Sequence, residues 1–503
     1  MTTSPATTPP SERLRLPKWF LFTVLAILLV DRIAYLFFAA PLPDEGYYWL
    51  WGKHPALSYY DHPPLQAWLI GLSTKIFGHS LLALRAPTLL SSAIVVWSIH
   101  WWSRRARGTT VEFDFPTAVL VVFATPLFFV LMEIVFHDHL LIALLSLATI
   151  LTALTFERFL EDASVRKPTL YGAAGLIGLA GLTKYNAVLF AIGIFLAILF
   201  VKRLRPMLRS PHLYLAALVT LACLTPVFLW NQANGDASFQ YNLSDRLAFD
   251  SGSLSRWAFY VQMFFLASMI HVGPLLVSAV VRFALPAHEI PAWLGAVRPF
   301  AISGLVVALG FVLVLSLSTP VSTYWIIVAY VPLFPFLLIY FQRRWHLVAH
   351  LVFGTAYITL FTINFVIVPL FAFNGTSGYL PGVARGWPEI SEKMLDWQQK
   401  TGAEFLATSD YRTGSILAFT INDPLVEVIA TRKSQFTFWI GENGRDGQDA
   451  VILTEPFFPM ADVIRDRFDS IEELETFDIT PFGMKVAEYT IYLGRNYTPA
   501  PEE

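Results

Sequence analysis

Apolar stretches long enough to cross a membrane recur through the first 370 residues of this 503-residue chain. A spanning helix needs about 20 residues, because every backbone hydrogen bond must be formed within the helix when lipid is the solvent. Only 14% of the residues are charged, whereas soluble proteins carry about 25%. We therefore predict a polytopic α-helical membrane protein with about 11 or more transmembrane helices, at 19–39, 81–102, 116–132, 138–156, 170–183, 186–201, 212–230, 257–281, 299–317, 323–341 and 347–370.

Basic residues are distributed unevenly over the segments between these stretches. If the N-terminal segment 1–18 is cytoplasmic, the inner segments hold 17 lysines and arginines, and the outer loops before the tail hold six. Cytoplasmic loops carry an excess of such residues, so this asymmetry sets the orientation. It predicts that loop 40–80, the turn at 133–138, the loop at 231–256 and the C-terminal tail lie on the outer face.

The composition changes at about residue 385, where charged and polar residues become frequent and apolar runs become short. Helix signals at 389–400 and 460–468 alternate with strand signals at 416–421, 426–429, 450–453 and 485–493. We therefore predict a membrane domain over 19–372, followed by a soluble α/β domain over 385–503 on the outer face.

Loop 40–80 carries acidic residues directly after the first predicted membrane helix. It contains Pro43-Asp44-Glu45-Gly46-Tyr47-Tyr48 and then Tyr59-Tyr60-Asp61-His62-Pro63-Pro64. Amphipathic helical patterns over 46–53 and 65–75 predict two short helices in the membrane interface. The prolines between them predict an extended segment that fixes the Asp-His pair at a kink, because a residue before proline avoids the α region.

Ionisable residues recur at the outer ends of several other predicted helices. A charge at membrane depth is costly, so such residues are candidates for function by default. Because they come from segments far apart in sequence, their convergence on one face predicts a shared site. They are Glu133, His137, Asp138, His139, Lys184, Asp236, Asp245, Arg246 and His271.

Some of these charges also have ordinary structural interpretations. Glu45 could cap the helix that follows it, since carboxylates are favourable at helix N-termini. Asp31 and Arg32, inside the first helix, are interpreted as a neutralising pair, and His139 as a satisfied polar residue. Three carboxylates lie at an aqueous boundary beside Pro or His without an obvious local partner, which favours functional roles for Asp44, Asp61 and Asp138.

Short motifs occur in a fixed order along the first two thirds of the chain. They are Pro43-Asp44-Glu45, Tyr60-Asp61-His62-Pro63-Pro64-Leu65, Phe136-His137-Asp138, Gly181-Leu182-Thr183-Lys184, Trp230-Asn231, Ser238-Phe239 and Arg246. This ordered set resembles the GT-C fold glycosyltransferases, specifically the group of family 39 and the lipid A aminoarabinose transferases. The resemblance covers about residues 1–345, and the soluble tail is similar to the family only in type and position.

The resemblance implies an enzyme that takes a sugar from a polyprenyl phosphate carrier and transfers it, with inversion, to a lipid, glycan or protein acceptor. It implies that Asp44 acts as a general base or orients the acceptor, with Glu45, Asp61 and Asp138 as further acidic site residues. The leaving phosphate needs positive charge, which His62, Lys184 and Arg246 would supply. The aminoarabinose enzymes usually have lysine in place of His62, so the charge here depends on pH. We expect the substrates to be lined by Tyr59, Tyr60, His137 and Tyr324.

The resemblance also implies partners and a location. Besides the sugar donor and the acceptor, the chain is expected to contact membrane lipids and to bind no nucleic acid. A divalent metal ion at Asp61 is one alternative, although no second ligand can be assigned from the sequence. No other cofactor is expected. The location implied is the cell inner membrane, with several membrane passes and the active site facing the periplasm.

Three other functions are compatible with an acidic loop on a membrane scaffold. A flippase or transporter of polyprenyl-linked sugars also uses buried charges, but transport predicts charges and broken helices near the membrane midplane. An enzyme of the same fold could polymerise or ligate whole glycans. A non-catalytic scaffold with the tail as a binding module leaves the clustered acids unexplained. The clustering of charges at one face favours the transferase.

Overall fold

Helices make up most of the first 370 residues in the computed structural model, which describes residues 12, 14–245, 254–283, 290–341, 343–370, 385–430, 432–439 and 444–499. They are α1 (Lys18–Phe38), α2 (Pro43–Lys53), α3 (Leu65–Phe77), α4 (Leu81–Ala106), α5 (Phe115–Phe123), α6 (Pro126–Glu133), α7 (Asp138–Asp162), α8 (Lys167–Gly181), α9 (Ala187–Phe200), α10 (Pro211–Cys223), α11 (Thr225–Ala233), α12 (Leu254–Val272), α13 (Pro274–Phe283), α14 (Ala292–Leu315) and α15 (Arg344–Thr362). A shorter apolar helical segment, Thr323–Ile339, precedes α15. Each of the 11 predicted apolar stretches therefore contains helix, and the polytopic α-helical class is confirmed.

The number of membrane passes depends on how the bent helices are counted. By length and composition, five helices of the described residues could cross a membrane, or up to eight if each of three bent pairs is one span. The pairs are bent by 77° between α5 and α6, 48° between α10 and α11, and 110° between α12 and α13. Proline lies at the start of the second helix in each pair, where its ring and missing N–H interrupt the helix before it.

Loop 40–80 folds into the two short helices α2 and α3, close to the predicted boundaries. Proline suits the first position of α2, and Glu45 Oε2 accepts a hydrogen bond from the Leu42 N–H at 2.9 Å. The two helices cross at Gly52 and Gly71, where a Cβ atom would lie 2.8 Å or 2.7 Å from the backbone of the other helix. Eight of the 11 residues of α2 are buried, so this helix is packed inside the protein.

The C-terminal region is an α/β domain with a five-stranded sheet of order β2-β1-β3-β5-β4. The strands β1 (Phe405–Thr408), β2 (Glu427–Val428) and β3 (Ala450–Thr454) are parallel to one another. The strand β5 (Ala487–Tyr497) is antiparallel to both of its neighbours, β3 and β4 (Phe468–Ile479). Helix α16 (Trp387–Thr401) precedes β1, α17 (Tyr411–Ile421) connects β1 to β2, and α18 (Asp462–Arg465) connects β3 to β4. The predicted strands at 426–429, 450–453 and 485–493 correspond to β2, β3 and β5.

One strand prediction in this domain is wrong, and two strands were not predicted. The apolar run 416–421 is the buried second half of α17, whose start is capped by the Asp410 side chain. A short apolar run fits a buried helix as well as a strand, and here the cap decides. The strands β1 and β4 were missed, because β1 has only four residues and β4 is acidic with an exposed face.

The C-terminal domain docks on α2 through α17. At Gly46 a Cβ atom would lie 2.6 Å from the carbonyl oxygen of Ser415, so the two helices approach as closely as backbone atoms allow. The docking also aligns the carboxyl ends of β1 and β2 with loop 40–80. The backbone N–H of Gln435 donates to Tyr47 Oη at 2.6 Å, and Gln435 Oε1 accepts from the Tyr60 N–H at 2.8 Å.

Replacing Gly46 with alanine is expected to lower the free energy of unfolding by about 1–3 kcal/mol, because the added methyl group forces α2 and α17 apart. Gly310 in α14 is a matched control, since a Cβ atom there meets nothing within 4 Å. The Gly310→Ala variant is expected to be neutral or more stable by up to about 1 kcal/mol. Thermal unfolding of both variants in detergent tests this, and equal midpoints would contradict the close packing at Gly46.

Candidate active site

A cavity of about 530 Å³ lies where loop 40–80, the α6–α7 turn, the α8–α9 connection and the C-terminal domain meet. One part of its wall is polar and aromatic, with Asp44, Tyr47, Tyr48, Asp61, His62, His137, Asp138, Lys184, Tyr185, Asn186, Tyr241, Asn242, Tyr324, Tyr411 and Arg432. The other part is mainly apolar, with Phe136, Val188, Leu189, Phe311, Leu315 and Trp325. The structure thus gathers seven of the 11 predicted site residues around one space.

Asp44 is the carboxylate in this cavity that has no partner. It is the second residue of α2, partly exposed to the cavity, and its side chain forms no hydrogen bond or ion pair with the described residues. Burial and the nearby charge of Asp61 raise the pKa of Asp44 to about 6, although Arg412 and Arg432 act in the opposite direction. A free carboxylate with such a pKa is suited to accept a proton near neutral pH.

Asp61 is held by partners from three parts of the chain. Its Oδ2 accepts from Tyr47 Oη at 2.8 Å, and its Oδ1 lies 3.4 Å from Arg432 Nη2. The Asp61 backbone carbonyl accepts from Asn242 Nδ2 at 3.1 Å. In the part of the chain that the structure describes, no group of three or more His, Cys, Asp or Glu side chains could hold a metal ion. The geometry therefore gives no support to a metal ion at Asp61.

Asp138 and Lys184 form a buried ion pair on another wall of the cavity. Lys184 Nζ lies 2.8 Å and 3.0 Å from the two carboxylate oxygens of Asp138. Asp138 is the first residue of α7, where the helix dipole favours a negative charge. The ammonium group also lies 4.7 Å from the centre of the Tyr324 ring. Asp138 thus holds the positively charged ammonium group of Lys184 in a fixed position on the cavity wall.

Two histidines lie next to each other between these carboxylates. The ring centres of His62 and His137 are 4.1 Å apart at an interplanar angle of 36°. Tyr48 Oη is 3.1 Å from His137 Nδ1, and His137 Nε2 is 3.8 Å from Asp138 Oδ2. Protonation of either ring would add positive charge to the cavity, so the charge of this wall depends on pH.

Glu45, predicted as a catalytic acid, lies outside the cavity lining and has structural contacts instead. It is fully buried and pairs with Arg85, whose Nε and Nη2 lie 2.9 Å and 2.7 Å from the two carboxylate oxygens. Glu45 also accepts from the backbone N–H groups of Leu42 and, at 3.2 Å, Val135. Glu45 therefore caps the start of α2, as the alternative interpretation predicted. It also links α2 to α4 through Arg85 and to the α6–α7 turn through Val135.

Three further predicted site residues also need comment. Tyr59 is fully buried, donates to the Trp51 carbonyl at 2.8 Å and does not line the cavity. Tyr60 lies behind the cavity wall, where it stacks on Tyr241 with ring centres 4.8 Å apart. Arg246 lies outside the described residues. The remaining substrate-lining candidates, His137 and Tyr324, line the cavity.

The predicted neutralising pair within α1 is wrong. Arg32 forms an ion pair with Glu133, at the end of α6, and donates to Ser92 at 3.1 Å. Asp31 accepts from Thr359 of α15 at 2.7 Å. Adjacent residues on a helix point in different directions, so Asp31 and Arg32 bind different neighbours. These contacts use Glu133 as a link between helices, away from the cavity lining.

Sequence reasoning missed the site residues that come from the C-terminal domain. Arg432 follows β2 and contacts Asp61, while its Nη2 donates to Tyr241 Oη at 2.6 Å. Tyr411 follows β1, and the Arg432 guanidinium lies 5.0 Å from the centre of its ring. Polar residues directly after parallel strands are a recognised sign of a binding edge, and this sign was present in the sequence.

The arrangement combines one free carboxylate with fixed cations and an apolar wall. Asp61 and Asp138 are each engaged by a cation, so the two cations stay in place inside a partly buried space. Such a site can bind an anionic group and accept a proton at the same time. Four of the six residues of the apolar wall come from α9 and α14, which are helices of the membrane domain.

One family model and one curated relative match part of this chain. Residues 61–230 match the family model described as dolichyl-phosphate-mannose-protein mannosyltransferase. A curated relative, the lipid A galacturonosyltransferase RgtD of Rhizobium johnstonii, is 27% identical over 224 residues. That match covers 44% of this chain and 44% of the relative, so it spans less than half of either protein.

Two solved structures of ArnT from Cupriavidus metallidurans share the fold over nearly the whole chain. The apo structure has a TM-score of 0.60 at 15% identity and covers 94% of this chain and 98% of that chain. The structure bound to undecaprenyl phosphate has a TM-score of 0.59 at 15% identity, with coverage of 95% and 98%. The chain therefore shares the GT-C fold that the order of motifs predicted, and its residues 61–230 match the mannosyltransferase family model.

Proposed function

We propose that this chain is an inverting glycosyltransferase that moves a sugar from a polyprenyl phosphate carrier to a lipid, glycan or protein acceptor. The observation that carries the proposal is the cavity itself, where the unpaired carboxylate of Asp44 faces the same space as Lys184 and Arg432. The relative RgtD is named as a lipid A galacturonosyltransferase, and one ArnT structure holds undecaprenyl phosphate. The ArnT structure and the description of the matching family model support a lipid-linked donor, and the name of RgtD supports a lipid acceptor.

The wall of the cavity supports binding of a lipid-linked phosphate. The first isoprene units would lie against Val188, Leu189 and Leu315, which are contributed by membrane helices. The phosphate would then lie at the polar end, near Lys184 and Arg432. Protonated His62 would add to this charge at low pH, and Arg246 remains a further candidate from the resemblance.

The proposed reaction is one displacement at the anomeric carbon. The hydroxyl oxygen of the acceptor attacks the anomeric carbon while Asp44 accepts the hydroxyl proton. The bond between the anomeric carbon and the phosphate oxygen of the carrier breaks in the same step. The carrier leaves as a phosphate monoester, whose added negative charge is stabilised by the two cations. A single displacement inverts the anomeric centre. Asp61 and Asp138 hold the cations in position and need no proton transfer.

The basic residues support a location of this site on the outer face of the inner membrane. The connections α4–α5, α7–α8 and α9–α10 are rich in lysine and arginine, and all of them lie at helix ends away from the cavity. By the positive-inside rule those ends are cytoplasmic, so the cavity and the C-terminal domain would face the periplasm.

Asp44→Asn is expected to lower transfer by at least about a hundredfold, because general base catalysis contributes roughly 10²–10⁴ in rate. The measurement is transfer of label by purified protein from radiolabelled polyprenyl phosphate sugars to acceptors extracted from the host membrane. Asp236→Asn is the matched control, since Asp236 is exposed and has a left-handed backbone that suits asparagine. It is expected to keep wild-type transfer.

Near-wild-type transfer in Asp44→Asn would remove this residue as the base. If the acceptor proves to be a phosphate, which needs no deprotonation, Asp44 would only orient it. The flippase alternative is supported by the three bent helix pairs. It predicts that the donor crosses sealed vesicles containing the protein while no label reaches any acceptor, and that result would replace the transferase proposal.

Arg432→Gln is expected to lower kcat/KM for the sugar donor by about 10–100-fold, because a hydrogen bond to a charged group contributes roughly 1.5–3 kcal/mol. Arg465→Gln is the control in the same domain, on an exposed residue at the end of α18. Steady-state kinetics with purified donor measure both variants. Equal kcat/KM values in the two would mean that Arg432 does not bind the donor.

The rate is expected to fall as the pH decreases through about 6, because the carboxylate of Asp44, whose pKa burial raises to about 6, must be ionised to act as base. Four other titratable groups lie near this carboxylate and contribute to the dependence of the rate on pH, namely Asp61, Asp410, His62 and His137. Arg432 lowers the pKa of Asp44, so Arg432→Gln is expected to move the acidic limb of kcat/KM to higher pH. Arg465→Gln is expected to leave it in place, and a common limb in both variants would contradict this assignment.

A further inference from the structure

A second, larger cavity lies at the opposite end of α1 from Asp44. Its volume is about 1030 Å³, and its walls come from the segment before α1, the end of α4, the start of α5 and the connection between them. The 21-residue α1 separates the two cavities by roughly 30 Å, the length of a helix that crosses a bilayer. The second cavity therefore lies near the other membrane surface.

Three cations of this cavity have no partner. Arg15, Lys18 and Arg107 all line it and are exposed, and the described residues form no hydrogen bond or ion pair with their side chains. Elsewhere on the same side, Arg105 pairs with Glu157 and Arg158 pairs with Asp162. The three cations are thus available to an external anion such as a phosphate group.

Three carboxylates in the same cavity also retain free oxygen atoms. Glu112 uses one oxygen to accept from the Gly108 N–H at 2.9 Å, and Asp114 uses one to accept from Thr117 at its N–H and hydroxyl. Their other oxygens, and both oxygens of Glu12, have no hydrogen-bond donor among the described residues. Because acids and bases are equal in number, an anion alone gains little net attraction here.

The remaining wall is apolar and opens sideways. Leu21, Phe22 and Leu25 of α1 face Val119 and Leu120 of α5 across the cavity. Phe22 is 66% exposed, and the adjacent Trp19 is 69% exposed at the helix start. An exposed tryptophan at the end of a spanning helix is typical of the lipid headgroup level. The apolar wall is therefore open to acyl chains.

We propose that this cavity binds a phospholipid whose headgroup carries a primary ammonium beside its phosphodiester, as in phosphatidylethanolamine. The phosphate lies among Arg15, Lys18 and Arg107, the ammonium donates to Glu12, Glu112 or Asp114, and an acyl chain lies along Leu21 and Phe22. A zwitterion matches both sets of charges, whereas an anionic headgroup leaves the carboxylates without a donor. A quaternary headgroup lacks the N–H bonds that they would accept.

Native mass spectrometry of the purified full chain in detergent tests this, with phosphatidylethanolamine, phosphatidylcholine and phosphatidylglycerol of identical acyl chains added one at a time. Phosphatidylethanolamine is expected to be retained about threefold to fivefold better than the other two lipids. The Glu12→Gln and Arg107→Gln variants are each expected to retain phosphatidylethanolamine about threefold to fivefold less than the wild type does. Arg166→Gln and Arg209→Gln are the controls, because both residues lie on the same membrane side outside the cavity, and they are expected to retain the lipid like the wild type.

Equal retention of the three lipids, or preferred retention of phosphatidylglycerol, would overturn the proposal. So would loss of the lipid in the control variants to the same extent as in Glu12→Gln. The measurement does not involve sugar transfer, so its outcome is independent of the function proposed for the first cavity. Elution of each variant at the wild-type position in size-exclusion chromatography establishes that the protein compared is folded.

Discussion

The buried ion pair between Glu45 and Arg85 holds together the segments that build the candidate active site. Both side chains are fully buried, and such a pair is stable only when its remaining hydrogen-bonding groups are also satisfied. Arg85 meets this condition by donating to carbonyl groups at the end of α1, those of Tyr35 at 2.8 Å and Ala39 at 3.0 Å among them. The last carbonyls of a helix have no partner within the helix. Arg85 supplies donors for them.

The ion pair also fixes a residue of the cavity, because Glu45 is adjacent in the chain to Asp44. Glu45 is fixed between α4 and the Val135 N–H, and its neighbour Asp44 is thereby held at the start of α2 with its carboxylate turned to the cavity. The same contact at Val135 fixes the turn that carries His137 and Asp138. A residue without access to substrate therefore determines where the substrate-facing residues lie.

The three carboxylates of the cavity differ in what they can do because their partners differ. Asp138 pairs with Lys184, and Asp61 binds the Tyr47 hydroxyl and pairs with Arg432. The negative charges of Asp61 and Asp138 therefore stabilise these partners. Asp44 has no such partner, which leaves it able to accept a proton. The sequence analysis treated the three alike, because the cations Lys184 and Arg432 are 46 and 371 residues away from the carboxylates that they contact, and such pairs cannot be read from local patterns.

The parts that the sequence did reveal depend on local physics. The length of the apolar stretches predicted the helices. The positions of Asp44, Asp61, Asp138 and Lys184 in loop 40–80 or at the outer ends of these helices predicted that they share one face. The bends at α5–α6 and α12–α13 were also encoded locally by proline, but an apolar count over 20 residues averages them away. The error at 416–421 has the same origin, because a short apolar run lacks the length that separates helix from strand.

The contribution of the C-terminal domain could not be predicted, because it depends on docking between distant parts of the chain. Arg432 reaches Asp61 because Gly46 allows α17 to lie against α2. The polar residues after β1 and β2 indicate a binding edge, but the local sequence does not show which distant segment that edge contacts. The docking covers the polar end of the cavity with the C-terminal domain, while the apolar end is formed mainly by α9 and α14. A carrier with a long apolar tail would then enter from the membrane side, and a polar acceptor would have to approach along the boundary between the two domains. Selection of the acceptor would in that case depend on both domains.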